Sequence, residues 1–185
     1  VGIGGEVMIW THGAWLDVTQ GFPSDFGPVK IGDRVWLPAR SIVLPNVTIG
    51  DDIVIGIGSV INRDLPSGCF AAGSPCKVIK ENCYPQELDE NKKKELINGI
   101  LNDWEKLLDE KKVPYSYRTK YENGNIILTE LVDGGSCVTI FDLNNRTVIN
   151  GSGDVVEDLR DYLRRRGIKI YTDKPFKSIK PEWIL

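Results

Sequence analysis

Residues 29–65 read VKIGDRVWLPARSIVLPNVTIGDDIVIGIGSVINRDL, and apolar side chains recur in them at every sixth position. The first series is aliphatic throughout: Ile31, Leu37, Val43, Ile49, Ile55 and Ile61. A second series follows each member by four residues: Val35, Ser41, Val47, Ile53, Ser59 and Leu65. Neither a helix of 3.6 residues per turn nor an alternating strand has this period. The repeat therefore predicts a solenoid of short strands and turns, which is typical of a parallel β-helix.

The same pattern occurs upstream, where residues 3–9 (IGGEVMI) parallel residues 31–37 (IGDRVWL) position for position. Between the two, residues 13–28 break the count of six and contain turn-forming, aromatic and acidic residues. An insertion in a strict repeat predicts a loop on one face of the solenoid, and such a loop is often the binding face. The alternative is a tolerated surface insertion with no role in binding.

His12, at the start of that insertion, is the only histidine of the 185 residues. An imidazole can take a proton from a hydroxyl near neutral pH and return it, which makes His12 the candidate general base. Asp17 follows on the same loop and is the candidate for orienting the imidazole. A loop aspartate also commonly caps a turn, and that alternative remains open for Asp17.

Three stretches carry a resemblance to a known family: GPVKIGDRVW at residues 27–36, LPNVTIGDD at 44–52 and IGIGSV at 55–60. A fourth, AAGSPCKVIK at residues 71–80, is similar to the last coil of the same family. Over residues 1–80 the chain resembles the hexapeptide-repeat acyltransferases. The order of Trp10, Thr11 and His12, then a loop, then Gly-Pro-Val is similar to the branch of galactoside, maltose and polysaccharide O-acetyltransferases.

This resemblance implies a left-handed parallel β-helix with three hexads per coil, assembled as a homotrimer that binds acetyl-CoA between adjacent subunits. His12 matches the catalytic base of the family, and Trp36 matches a tryptophan that lines the active cleft. The remaining matches are to positions near the pantetheine arm, the nucleotide or the CoA phosphates: Ala39, Ile57, Asn62, Arg63, Lys77 and Lys80. Trp36 could instead pack at a subunit interface, and the two lysines could be an ordinary solvated edge.

Composition narrows the function classes. The formal net charge of −3 and the absence of a broad basic face argue against nucleic-acid binding. No apolar run is long enough to span a bilayer, and the start at Val1 lies in mid-repeat, so we expect a truncated N-terminus without a signal peptide. The four cysteines form no CxxC pair, which favours reduced thiols and a cytoplasmic protein. A single histidine cannot supply the three ligands of the carbonic anhydrases built on this coil, and no metal is expected.

After residue 80 the composition changes. Residues 81–113 predict a linker and an amphipathic helix that packs across the solenoid end or onto a partner subunit, with this apolar stripe: Leu96, Ile97, Ile100, Leu101, Trp104, Leu107 and Leu108. Residues 114–185 predict a small α+β domain of unknown role. Its predicted strands are residues 115–121, 125–131, 137–143 and 168–171, with a hairpin turn at Asn123-Gly124. Its predicted helix is 155–166, capped by Ser152 and ended by Gly167.

The function expected from these residues is acetyl-CoA-dependent O-acetylation of a hydroxyl on a sugar or glycan, with His12 as base. The first alternative is N-acetylation of an amino sugar nucleotide, since the same base could take a proton from an amine. The second is a noncatalytic trimeric assembly module that binds through its C-terminal domain. The acceptor itself is not determined by the sequence.

Overall fold

A computed structural model describes residues 1–113, 117–132 and 134–180. The chain divides into two compact units, residues 1–87 and 88–185, and each is considered by itself. The sequence prediction of a strand starting at residue 115 falls partly outside the described residues, which resume at Tyr117.

The first unit is built almost entirely of two-residue strands. Their bounds are β1 Gly2–Ile3, β2 Met8–Ile9, β3 His12–Gly13, β4 Asp25–Phe26, β5 Lys30–Ile31, β6 Trp36–Leu37, β7 Ile42–Val43, β8 Thr48–Ile49, β9 Val54–Ile55, β10 Val60–Ile61, β11 Phe70–Ala72 and β12 Lys77–Lys80. A short 3-10 helix, Val18–Gln20, lies in the insertion between β3 and β4.

Strands one coil apart pair in parallel at an offset of 18 residues. The pairs are Lys30 with Thr48 on the first face, Trp36 with Val54 on the second and Ile42 with Val60 on the third. These faces form sheets in the orders β5-β8, β1-β6-β9-β11-β12 and β10-β7-β2. Three hexads therefore complete one coil of a parallel β-helix. The repeat predicted the parallel β-helix, and the family resemblance implied the three hexads per coil.

The interior of the coil is filled by the two sixfold series. Every member of both series is buried except Ile31, which is half-buried. The two serines in the second series are satisfied within the coil, since Ser41 Oγ donates to the Pro38 carbonyl at 2.8 Å and Ser59 Oγ donates to the Gly56 carbonyl at 2.6 Å. Buried hydroxyls that are bonded in this way avoid the cost of desolvation without a partner.

The corners of the coil need a left-handed backbone residue. Non-glycine residues occupy this conformation at Arg34 (φ 53°), Arg40 (φ 60°), Asn46 (φ 63°) and Asp52 (φ 57°). At two corners the side chains pair with the next coil, where Arg34 bonds Asp52 and Arg40 Nε lies 2.7 Å from a Glu6 carboxylate oxygen. The corners thus stack in register along the helix axis, as the strands do.

We expect Ile49→Ala to destabilise the first unit by about 2–5 kcal/mol, because it empties a fully buried interior position. Thr48→Ala, one residue away on the same strand but exposed, is the matched control and should change the free energy of unfolding little. Urea unfolding followed by circular dichroism measures both. Equal effects for the two variants would contradict the inward and outward assignment.

The second unit holds two helices and an antiparallel sheet. Their bounds are α1 Glu90–Glu110, β13 Tyr117–Glu122, β14 Asn125–Val132, β15 Gly135–Asp142, β16 Thr147–Ile149 and α2 Asp154–Arg164. The sheet order is β13-β14-β15-β16, and both helices contribute to one core with it. The predicted hairpin turn is confirmed, since Asn123 (φ 50°) and Gly124 (φ 78°) both have a left-handed backbone between β13 and β14.

The stripe of α1 packs into the core of its own unit through Ile97, Leu101, Trp104 and Leu108. Two expectations for this unit were wrong. Residues 168–171 form no strand, and the fourth strand is β16. Gly153 rather than Ser152 precedes α2, and it provides no side-chain cap.

Two buried polar side chains of α2 bond the segment that follows the helix. Arg160 donates to the backbone carbonyls of Ile170, Lys174 and Pro175, so one carbonyl of residues 168–171 is already bonded by a side chain. Asp158 accepts bonds from Trp104 Nε1 at 2.8 Å, Lys111 Nζ at 2.7 Å and the Ile179 N–H at 2.6 Å. The segment after α2 is held by side-chain bonds rather than by a sheet.

Asp158→Asn should destabilise the second unit by about 3–5 kcal/mol, because the Lys111 ammonium is left buried without its counter-charge. Asp154→Asn makes the same change at an exposed ion pair with Lys177 on the same helix and should have little effect. Thermal unfolding of the two variants gives the comparison. A loss of stability in Asp154→Asn as large as that in Asp158→Asn would refute the explanation by burial.

Candidate active site

His12 is carried by a short hairpin that leaves the coil after β2 and returns before β5. In this hairpin β3 pairs antiparallel with β4, with His12 opposite Phe26 and Gly13 opposite Asp25. The Gly27 N–H donates to the Thr11 carbonyl at 2.9 Å and closes the base of the hairpin. The imidazole is stacked on the Phe26 ring, with centroids 5.8 Å apart and an interplanar angle of 17°. Backbone pairing and stacking together fix where the ring lies.

The imidazole of His12 is exposed and only weakly hydrogen-bonded. Its Nδ1 lies 3.4 Å from Thr11 Oγ1, a long hydrogen bond. Its Nε2 has no hydrogen-bond partner among the residues that the structure describes. This nitrogen is therefore available to exchange a proton with a group outside the chain.

Asp17 caps the short 3-10 helix of the insertion. Its carboxylate accepts bonds from the Thr19 hydroxyl at 2.7 Å and the Thr19 N–H at 2.9 Å, and these two bonds lower the pKa of Asp17 below its ordinary value. Within the described ranges it has no hydrogen bond to His12. This matches the turn-capping alternative, and the orienting role of Asp17 remains a prediction.

Trp36 lies on β6 opposite Gly2 of β1 and is 45% exposed. A Cβ on Gly2 would lie 2.6 Å from the indole Cε3, so the absence of a side chain at Gly2 is what lets the ring lie against the neighbouring strand. The indole thus forms an outward apolar surface on the second face of the coil.

Ala39 and Ile57 occupy successive turns at the end of that face. The Gly58 N–H donates to the Ala39 carbonyl at 3.1 Å, which ties the two turns together, and Ile57 is 75% exposed. Lys77 and Lys80 lie on β12, the last strand of the same sheet. Both are exposed, and neither has an ion-pair partner in the described part of the chain.

Asn62 and Arg63 follow β10 and lie at a different corner. Both are exposed, and Arg63 Nε donates to Asn62 Oδ1 at 3.4 Å. Because β10, β7 and β2 belong to one sheet, these two residues share the end of that sheet with the hairpin of His12, two strands away.

The predicted site residues therefore fall into two groups within one chain. His12, Asp17, Asn62 and Arg63 follow the strands of the sheet β10-β7-β2, whereas Trp36, Lys77 and Lys80 lie on the sheet β1-β6-β9-β11-β12. Ala39 and Ile57 lie at the corner between these two sheets. The chain alone does not gather all of them at one point.

Two contributors near His12 were not anticipated from the sequence. Phe26 stacks on the imidazole, and Asn46 bonds the arm of the hairpin that carries Phe26. The signal for Phe26 was its place in an insertion rich in exposed aromatic residues, including Trp15, which is 95% exposed. Nothing in the repeat distinguishes Asn46 from any other corner residue.

The described residues give little support for a metal site, a nucleophilic cysteine or a membrane-spanning helix. These contain no group of three or more His, Cys, Asp or Glu side chains that could hold a metal ion. Burial raises the pKa of the Cys69 and Cys76 thiols, which disfavours the thiolate form needed for nucleophilic chemistry. No helix in this part of the chain is both long and apolar enough to cross a bilayer.

The family model described as bacterial transferase hexapeptide (six repeats) matches residues 28–63. The matched residues include strands β5 to β10 of the coil. Galactoside O-acetyltransferase of Escherichia coli is 48% identical to this chain over 54 residues, which cover 29% of this chain and 27% of that relative. A putative acetyltransferase of Saccharomyces cerevisiae is 44% identical over 79 residues, which cover 41% of this chain and 40% of its own.

Among solved structures, galactoside acetyltransferase in complex with coenzyme A matches at 35% identity with a TM-score of 0.40. The match covers 44% of this chain and 42% of that chain. The chain spans less than half the length of the curated relatives it matches.

Proposed function

We propose that the first unit transfers an acetyl group from acetyl-CoA to a hydroxyl of a sugar or glycan in the cytoplasm, with His12 as general base. The observation that carries this proposal is the exposed imidazole of the only histidine, whose Nε2 is unpartnered among the described residues and whose ring is held by a hairpin and a stacked phenyl group. The similarity to a galactoside O-acetyltransferase supports the acceptor class.

The chemistry needs few groups because a thioester carbonyl is already reactive. His12 takes the proton of the acceptor hydroxyl, and the acceptor oxygen attacks the thioester carbon. The C–S bond then breaks, and the departing CoA sulfur receives the proton from the imidazolium. Positioning the two reactants can contribute about 7–11 kcal/mol, and the base adds roughly 100- to 10,000-fold in rate.

The division of the candidate residues over two sheets supports a site shared between chains. We propose a homotrimer of left-handed coils, in which the His12 hairpin of one chain faces the donor surface of the next. On that surface Trp36, Ala39 and Ile57 hold the pantetheine arm. Lys77 and Lys80 are unpaired cations in the described part of the chain and can serve as point charges for the CoA phosphates. Asn62 and Arg63 complete the contacts with the nucleotide.

His12→Ala should lower acetyl transfer from acetyl-CoA to a panel of sugars by about 100-fold or more, since it removes the base. Binding of CoA, measured by calorimetry, should change little because the ring is assigned to the acceptor side. Release of free CoA thiol reports the rate. If His12→Ala transfers acetyl groups as fast as the unmodified protein, the proposed mechanism is wrong, and if neither protein transfers, a noncatalytic assembly module is the better account.

Asp17→Asn separates the two possible roles of that residue. Asparagine keeps an oxygen that can accept from Thr19, so a capping role predicts nearly unchanged transfer. An orienting role predicts a large loss of kcat, because the charge that stabilises the imidazolium is removed. We expect the first result, given the bonds that the carboxylate makes, and a kcat reduced by tenfold or more in this variant would contradict it.

A further inference from the structure

Asn46 differs from the other corner residues in what its side chain contacts. Its Nδ2 donates to an Asp25 carboxylate oxygen and, at 3.3 Å, to the Phe26 carbonyl. Arg34, Asp52 and Arg40, at other corners, instead pair with side chains of the adjoining coil. Asn46 therefore connects the coil to the returning arm of the His12 hairpin rather than to another coil.

Gly27 fits against Asn46 only because it has no side chain. An ideal Cβ at this position would lie 1.5 Å from Asn46 Oδ1. Gly27 also donates its N–H to the Thr11 carbonyl, on the other arm of the hairpin. The backbone at Gly27 is thus held between the corner amide and the residue directly before His12.

The contact reaches the imidazole through Phe26. This residue accepts the Asn46 bond at its carbonyl, pairs with His12 in the β3–β4 register and stacks its ring on the imidazole. Among the described residues, the His12 ring has a hydrogen bond only with Thr11 and a ring contact only with Phe26. Loss of the Asn46 bonds would therefore weaken the placement of the residue that stacks on the imidazole.

We infer that Asn46 is a positioning residue for His12, acting through Asp25, Phe26 and Gly27. This inference rests on the proposed function for its effect on catalysis, but not for its effect on the ring. Asn46 touches neither reactant in this scheme. Its contribution is to keep the imidazole where an acceptor hydroxyl can reach it, and a displacement of about 1 Å at such a group can cost on the order of 100-fold in rate.

The variant Asn46→Gly tests the positioning role, because it removes the side-chain bonds of Asn46. It does not strain the backbone, since glycine accepts the left-handed conformation at this corner. Asp52→Gly is the matched control, since it also replaces a left-handed corner residue but one whose side chain, within the described residues, is hydrogen-bonded only to Arg34. We expect Asn46→Gly to lower kcat by roughly 10- to 100-fold with the KM for acetyl-CoA unchanged. Asp52→Gly should leave both constants near their original values.

Nuclear magnetic resonance supplies a readout that needs no activity. His12 is the only histidine, so a single imidazole C2–H resonance reports on its stacking against Phe26. We expect Asn46→Gly to move this resonance toward the position it takes in Phe26→Leu, which lacks the stacked ring. In Asp52→Gly it should stay in place.

Exchanging the amide and the carboxylate between positions 46 and 25 tests whether the lost contact can be restored. Asn46→Asp alone places two carboxylates together at the hairpin and should reduce kcat at least as much as Asn46→Gly. Adding Asp25→Asn restores one donor and one acceptor between the same two positions, so the double variant should recover part of the rate and of the resonance shift. If Asn46 only stabilised the coil, the added Asp25→Asn substitution would not restore the rate or the resonance.

Two results would overturn the inference. The first is an imidazole resonance in Asn46→Gly that matches the unmodified protein, which would show that the corner amide does not hold the ring. The second is a displaced resonance with an unchanged kcat in a protein that loses its activity in His12→Ala. Absence of acetyl transfer by the unmodified protein would refute the proposed function instead, and the resonance alone would then decide whether Asn46 positions the ring.

Discussion

The first unit depends on the parallel register that brings each strand beside the strand 18 residues later. A strand of two residues cannot persist alone, so its backbone groups must find partners in the coils on either side. The same register places the two sixfold series inside, where they form one continuous core. A shift of one residue would turn those side chains outward along the whole coil, so packing and pairing enforce each other.

This constraint explains where an insertion can be accommodated. The register resumes after the hairpin without distortion, since Gly2 pairs with Trp36 and Met8 pairs with Ile42. The extra residues leave and return at one corner, where the chain already turns and no interior position is lost. A corner is also where backbone and side chains are accessible, so a catalytic group placed there meets solvent while its support remains part of the coil.

The sequence predicted the features that depend on local period and missed those that depend on distant partners. The interior series and the Asn123-Gly124 turn follow from spacing and turn chemistry, and the offset of three hexads was implied by the family resemblance. The packing of Trp104 beside Asp158 joins positions 54 residues apart, and no local pattern indicates it. The same applies to Ile170, whose apolar neighbourhood resembles a strand although its carbonyl is bonded by Arg160. The contact of Asn46 with the hairpin was missed for a different reason. The repeat already explained Asn46 as a corner residue, so nothing in the sequence marked it.

A histidine can be held in place by a charged group bonded to its ring or by contacts that carry no charge. A catalytic histidine is commonly oriented by a carboxylate on its second nitrogen, but here the Asp17 carboxylate is bonded to Thr19 and its charge is stabilised there. The contacts that His12 has are a paired backbone and a stacked ring, which add no charge next to the imidazole. Such support fixes position without strengthening the base. The proposed reaction would tolerate this arrangement, because a reactive thioester carbonyl depends more on the positioning of the reactants than on a strong base.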